Sequence, residues 1–276
     1  MTLSEMRKIL AMGDIQLSKS LGQNFLHDQN QLQKIVSVAE VLPSDKVLEI
    51  GPGLGPLTEL LLAKSEEVLA IEKDKRLVDF LNEKYSGVKN LRLIHDDALD
   101  YVRREKLNWS DWKLVANLPY SVASPILVEL AESLGSPKTM VTTLQIEVAQ
   151  RIAAKAGEDD YGVLSLLIQL QYEPQGWFKI PAACFFPEPD VDSACIVLTR
   201  RAKPLLTPEE SEVFKKIVKR GFSQRRKMML KLLKQDWPKE KLESAFSELK
   251  ISPQERAEKV SLERFVDLTK LLGANE

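Results

Sequence analysis

Residues 49–55 read Glu-Ile-Gly-Pro-Gly-Leu-Gly, a glycine-rich turn between an apolar run and a stretch with helical spacing. Gly51 and Gly53 would let a ligand approach the backbone closely, where a side chain would block it; a plain tight strand-to-helix turn would use the same residues. Glu72 follows about twenty residues on, at the end of the next apolar run, where a carboxylate can accept hydrogen bonds from both ribose hydroxyls. Asp96 and Asp97 close the third run, where a carboxylate can meet the exocyclic amine of an adenine. Asp97 could equally cap a helix beginning at Ala98. This layout suits a nucleoside cofactor, either NAD or S-adenosylmethionine. The dinucleotide fingerprint wants glycine or alanine three residues after its second glycine, and Pro56 stands there instead. With no basic residue in the loop for a pyrophosphate, the pattern favours S-adenosylmethionine.

Asn117-Leu118-Pro119-Tyr120 closes the fourth apolar run. It resembles the [Asn/Asp/Ser]-Pro-Pro-Tyr turn of methyltransferases that act on exocyclic amino groups. The residue types suit that chemistry, because the N6 amine of adenine is a poor nucleophile whose lone pair is delocalised into the ring. Accepting both amine hydrogens, through the Asn117 side-chain oxygen and the Leu118 carbonyl, localises charge on nitrogen as it attacks a methyl group in line. Pro119 stiffens the turn and keeps Leu118 out of the helical region, and Tyr120 offers a ring on which an extruded base can stack. Such a reaction needs no metal, no histidine base and no covalent intermediate. The chain has two histidines and two cysteines with no CxxC or HxxxH spacing, which argues against a metal site.

Positioning these groups requires strands that end together. Lys46–Ile50 and residues 68–71, 91–94, 113–116 and 139–144 read as strands; residues 54–64, 75–85 and 124–134 between them have helical spacing. Strands separated by helices imply βαβ units and a mostly parallel sheet. Residues 146–156 and 162–171 read as helix, 175–180 and 192–200 as strand. Thr207 then caps a wholly helical, charged tail with Pro208 at its first position.

The chain has 276 residues with 39 basic and 40 acidic side chains, a net charge of −1; at 44% hydrophobic and 29% charged it is globular, not disordered or fibrous. No apolar stretch reaches the ~20 residues that span a bilayer, no secretory signal is visible, and Cys184 and Cys195 make no disulfide framework, so a cytoplasmic location is expected. Near-neutrality hides an asymmetry. Residues 200–276 carry a net +7 and residues 1–199 a net −8, and residues 213–234 hold nine basic side chains and no acidic one. Such a segment presents a field to phosphate, although a merely solvated helix face would look the same.

Six segments now stand in one order: Gly22-Gln23-Asn24-Phe25-Leu26, the glycine turn, Ile71-Glu72-Lys73-Asp74, Asp97-Ala98, the Asn-Leu-Pro-Tyr turn, and Phe185-Phe186-Pro-Glu-Pro-Asp-Val-Asp-Ser193. Together they resemble the ribosomal RNA adenine N6,N6-dimethyltransferase family, most closely its small-subunit members. The resemblance implies an α/β fold: a Rossmann-like S-adenosylmethionine-dependent methyltransferase sheet with a smaller all-helical C-terminal domain. It implies transfer of methyl groups from S-adenosylmethionine to two adjacent adenosines in the 3′-terminal hairpin of 16S ribosomal RNA within the immature small subunit, by a monomer. Residue by residue, it implies that Asn24, Leu26, Gly51, Gly53, Glu72, Asp97 and Asn117 hold the cofactor. Asn117, Leu118 and Tyr120 serve the transfer, with Phe185 packing on the flipped adenine opposite Tyr120; as an apolar pair beside prolines, Phe185-Phe186 would otherwise read as core. Residues 221–227 match the family's basic helix segment, so Lys219, Arg220, Arg225, Arg226 and Lys227 are expected on RNA, although Met228, Met229 and Leu230 depart from the Arg-Asn pair that commonly follows. Expected divisions are an N-terminal extension at 1–20, a methyltransferase domain at 21–201 and a helical RNA-binding domain at 207–276, with residues 1–16 a mobile segment without assigned counterpart.

Two other readings use the same fold. The related large-subunit resistance methyltransferases usually carry Asn-Ile-Pro-Tyr at the turn, and a non-catalytic assembly factor could lose Asn117, Glu72 or the aromatic pair, all of which are present.

Overall fold

A computed structural model describes residues 1–12, 23–133 and 135–273. The first part of the chain runs α1 (Leu3–Met12), β1 (Phe25–Leu26), α2 (Gln29–Val38), β2 (Lys46–Ile50), α3 (Pro56–Leu62), β3 (Glu67–Glu72), α4 (Lys75–Lys84) and β4 (Leu91–His95). It continues α5 (Ala98–Glu105), β5 (Trp112–Asn117), α6 (Ala123–Glu132), β6 (Thr139–Gln145), α7 (Ile146–Ala153), α8 (Val163–Gln169), β7 (Tyr172–Ile180), β8 (Phe185–Phe186) and β9 (Ser193–Arg200). The last helices are α9 (Pro208–Gly221), α10 (Met229–Leu233), α11 (Lys239–Glu248) and α12 (Leu262–Gly273).

A seven-stranded sheet has the order β4-β3-β2-β5-β6-β9-β7. Strands β2 to β6 pair in parallel, and β9 joins β6 antiparallel, with Thr142 opposite Ile196. The chain winds outward from β2 through β3 to β4, then returns to β5 on the other side of β2. In open α/β sheets that reversal leaves a crevice beyond the carboxyl ends of the two central strands, where ligands bind. Those ends are Ile50 and Asn117. Val47, Val68, Ala70, Val115 and Val141 of the sheet pack with Leu32, Ile35 and Val36 of α2 and Leu57 and Leu61 of α3. The central strands β2, β3, β5 and β6 are buried along nearly their whole length, as strands covered on both faces are, whereas β4 and β7 at the two edges are partly exposed.

The chain divides into two compact units, Met1–Ala149 with Glu173–Arg200, and Gln150–Tyr172 with Arg201–Glu276. Residues 150–172 thus join the helical unit instead of the sheet unit in which chain order had placed them. The reason is Tyr161, whose ring is buried, packs edge-on to Phe222 at 6.1 Å, and donates its hydroxyl proton to the Val260 carbonyl. The Arg201 N–H closes the same unit on the Gln171 carbonyl at 2.8 Å. The expected cap of α9 is present, with Thr207 and Glu210 each accepting from the other's backbone N–H.

The expected mobile segment at residues 1–16 needs correction over its first part; residues 13–22 lie outside the described residues. Leu3–Met12 is a helix with a Thr2–Glu5 capping pair, and Met6 and Leu10 on one face are buried against Phe25, Leu54 and Leu77. So short a helix is marginal alone, so packing rather than propensity must hold it, and packing is invisible locally. Met6→Ala is therefore expected to cost about 2–5 kcal/mol, seen as a lower denaturant midpoint at unchanged slope; a parental midpoint would return α1 to a loosely attached extension.

Candidate active site

The glycine turn leaves β2 with Gly51 and Gly53 in the left-handed region, at φ +70° and +60°. A side chain at Gly53 would run into the Phe25 ring, its Cβ 2.6 Å from ring carbon Cε1, and one at Gly51 would press on Pro119 at 3.4 Å. The turn is held from several sides. The Gly51 N–H donates to the Ile71 carbonyl, the Gly53 N–H to Glu72 Oε2 at 3.1 Å, and the Tyr85 hydroxyl to the Gly55 carbonyl at 2.8 Å. Glu72, at the end of β3, is buried; its other oxygen accepts from the Asp74 N–H at 2.9 Å. Burial pushes its carboxyl upward, and these backbone donors pull against that shift.

Asp97 caps α5, and its second oxygen is paired with a lysine. Its Oδ1 caps α5 by accepting from the N–H groups of Leu99 and Asp100, and its Oδ2 accepts from Lys73 Nζ at 2.8 Å. The Lys73 ammonium holds the Asp97 carboxyl below its ordinary range. Gln23 Nε2 donates to Asp74 Oδ2 at 3.0 Å, tying the segment before β1 to the N-cap of α4.

Asn117 ends β5, and its side-chain Nδ2 donates to the Asn24 carbonyl at 2.9 Å. A carbonyl can only accept, so the amide must turn its NH2 toward Asn24, and Oδ1 is left as the free end. That oxygen is buried and has no hydrogen-bond partner. The Leu118 N–H donates to the Thr143 carbonyl at 3.0 Å, and the Tyr120 hydroxyl lies 2.5 Å from Ser193 Oγ.

These groups line one cleft of about 920 Å³, counting the space open to solvent. Its walls include Asn24, Gly51, Gly53, Glu72, Asp97, Asn117, Leu118 and Tyr120 from the sequence expectations. Ile50, Ile71, Leu77, Ala98 and Ile126 add apolar surface of the kind an adenine ring packs on. The carboxylates at the ends of two adjacent strands, the glycine cradle that any Cβ would fill, and the bare Asn117 oxygen fit S-adenosylmethionine together with an amine to be methylated.

Leu26 and Phe185 need correction. They face each other across the β1–β8 pair, are both 2% exposed, and belong to the core with Leu57, Leu61 and Cys195; neither lines the cleft. Side chains alternate along a strand, so the partners one residue away point to the other face. Phe25 lines the cleft, and Phe186, opposite it, lies under the Arg7 guanidinium at 5.1 Å. Phe25, Gln23 and Lys73 are cleft residues that the sequence reading missed; the period-two alternation of Gln-Asn-Phe-Leu was the available signal for the first.

The basic residues of the helical unit separate into groups. Lys219, Arg226 and Lys227 are exposed and carry no acidic partner among the described residues. Arg225 is exposed and donates to the Asp159 carbonyl at 3.2 Å. Arg220, expected on RNA, is instead engaged by Asp236 at 2.5 Å and by Gln235 Oε1 at 2.8 Å, and it shares the Asp236 carboxylate with Lys216. Arg225, Arg226 and Lys227 sit on the turn between α9 and α10, not on a helix. Among the described residues no cluster of three metal-ligating side chains occurs, and no helix is long and apolar enough to cross a membrane.

Behind the turn, Glu49 is buried with Oε2 unpartnered; burial, with the Glu72 charge adding to it, pushes its carboxyl up to about 8. Between its ordinary 4.5 and about 8, the folded chain keeps a proton that the unfolded chain has lost. Stability from this group therefore falls as pH rises through that window. Denaturant midpoints compared at about pH 5 and about pH 8 should differ less in Glu49→Gln than in the parent; an equal difference would mean that Glu49 is ionised in the fold.

Residues 15–273 match the family described as ribosomal RNA adenine dimethylase. Ribosomal RNA small subunit methyltransferase A of Geobacillus thermodenitrificans is 40% identical over 276 residues, 96% of this chain and 94% of its own. The protein of the same name from Enterococcus faecalis is 39% identical over 285 residues, covering 100% of this chain and 97% of its own. Among solved structures, a dimethyladenosine transferase from Plasmodium falciparum is 25% identical with a TM-score of 0.75, covering 88% of this chain and 95% of its own. The 23S rRNA methyltransferase ErmE is 28% identical with a TM-score of 0.68, covering 90% and 99%. With its glycine cradle, its strand-end carboxylates and its Asn-Leu-Pro-Tyr turn gathered in one cleft, the chain belongs to the ribosomal RNA adenine dimethylase family.

Proposed function

We propose that the chain dimethylates the N6 amines of two adjacent adenosines in the 3′-terminal hairpin of 16S ribosomal RNA, within the immature small subunit, as a cytoplasmic monomer. The observation that carries this reading is the buried Asn117 Oδ1, an acceptor with no protein partner at the wall of a nucleoside-sized cleft. S-adenosylmethionine, when bound, supplies the electrophilic methyl group. The protein's part is to hold the amine. Asn117 Oδ1 accepts one N6 hydrogen and the Leu118 carbonyl the other, which keeps the nitrogen lone pair out of the ring. The Tyr120 ring, half-buried at the cleft, stacks on the base and fixes its plane. Glu72 accepts from the cofactor ribose while its backbone bonds hold the glycine turn, and Asp97 Oδ2 accepts from the cofactor's adenine amine beside Lys73.

Small-subunit RNA is favoured over large-subunit RNA because the small-subunit relatives are 39–40% identical over nearly their full lengths, against 28% for the large-subunit enzyme. Labelled S-adenosylmethionine with immature small subunits should yield dimethyladenosine in the 3′-terminal hairpin, and large-subunit RNA should yield none. Label confined to large-subunit RNA, or to neither, would overturn the proposal.

Asn117→Ala is expected to lower transfer by about 10²–10³-fold, the scale of removing one preorganised polar contact, while cofactor affinity stays within a few-fold of parental. Unchanged turnover would refute the amine-holding role. Replacing Arg225, Arg226 and Lys227 by alanine should weaken RNA binding and flatten its salt dependence by up to about 0.9 per lost duplex phosphate contact. An unaltered slope would make that turn a solvated surface.

A further inference from the structure

Phe185 lies in the core, yet Ser193, the last residue of the same Phe185–Ser193 segment, reaches back to the site. Ser193 opens β9, is 0% exposed, and stands opposite Gln145 across the β6–β9 pair. Its Oγ lies 2.5 Å from the Tyr120 hydroxyl. The backbone on its N-terminal side is fixed independently. The Asp192 carbonyl accepts from the Ile146 N–H at 3.1 Å, Asp192 Oδ1 accepts from the Ala182 N–H at 2.9 Å, and Asp192 Oδ2 pairs with Lys179 at 2.5 Å.

We infer that Ser193 is a positioning residue for methyl transfer: its hydroxyl anchors the Tyr120 phenol and sets the ring before the target adenine arrives. This rests on the reading of Tyr120 as the stacking ring. Tyrosine has two side-chain torsions to settle. The hydroxyl end is tethered to the buried start of β9, and the Cα end to the Asn117-Leu118-Pro119 turn that closes β5, so both ends are held by strands of the same sheet. A hydrogen bond to a fully buried serine hydroxyl is partly shielded from competing water. Holding a ring in place before binding shortens the search for the reactive geometry, where displacements of about 1 Å can cost up to 10²-fold.

The test compares Ser193→Ala, Ser193→Thr, Tyr120→Phe and the double variant Ser193→Ala with Tyr120→Phe on small subunits. Ser193→Ala should lower kcat/KM for RNA by about 10-fold with the KM for S-adenosylmethionine unchanged. Tyr120→Phe, which keeps the ring and loses the hydroxyl, should match it; the double variant should be no worse than either, and Ser193→Thr should restore most of the loss. Independent of activity, the NMR spectrum should show a slowly exchanging Tyr120 hydroxyl proton in the parent and in Ser193→Thr, lost in Ser193→Ala. Parental kcat/KM in Ser193→Ala, losses that multiply in the double variant, or an unchanged hydroxyl signal would each overturn the inference. A parent that exchanges that proton slowly yet makes no dimethyladenosine would instead refute the proposed function and leave the serine–tyrosine tether standing.

Discussion

The contact between Asn117 Nδ2 and the Asn24 carbonyl fixes the chemistry of the cleft. It settles which end of the amide is free, because a carbonyl partner accepts only from the NH2 group. The price is a buried oxygen without a partner, which ordinarily costs about 1–3 kcal/mol. A side chain left free would turn to find a donor. Here the strand position of Asn117, paired with Thr143 on β6, and the tie to Asn24 leave it no such choice. The polar group that the fold leaves unsatisfied is the one that a substrate amine can satisfy.

The rest of the site follows from holding two turns close together. Gly51 and Pro119 nearly touch, so the glycine turn of β2 and the Asn-Leu-Pro-Tyr turn of β5 define each other's position at the switch point of the sheet. The Phe25 ring fills the space where a Gly53 side chain would lie, and it packs with Leu54, Leu77 and the α1 residues Met6 and Leu10. The same short segment that lends Asn24 to Asn117 thus also closes the glycine turn. Glu72 adds a third constraint, bridging the turn and the start of α4 with its two oxygens.

Much of this was legible in the residues. The strand–helix alternation, the glycine turn, Glu72, Asp97 and the Asn-Leu-Pro-Tyr turn are local patterns, and these turns and carboxylates line one cleft because strand ends in a parallel sheet converge by topology. What escaped was non-local. Whether Phe25 or Leu26 faces the cleft depends on the register of a two-residue pairing with β8, and one step reverses the answer. That residues 150–172 join the helical unit depends on Tyr161 reaching Val260, ninety-nine residues away. Arg220 reads as a phosphate ligand until Asp236, sixteen residues on, is seen to hold it. The charge asymmetry between the two halves survives these corrections, but it is carried by fewer free cations than a count of basic residues suggests.

Under the proposed function, Asn117 Oδ1 is kept bare to receive the target amine. A crystal structure of the protein with an S-adenosylmethionine analogue and an RNA fragment carrying the target adenosine tests it directly. N6 is expected within about 2.7–3.2 Å of Asn117 Oδ1, with the Asn24 contact retained and the Tyr120 ring on the base. An Asn117 amide turned to a protein donor, or an adenine bound with N6 away from that oxygen, would contradict it.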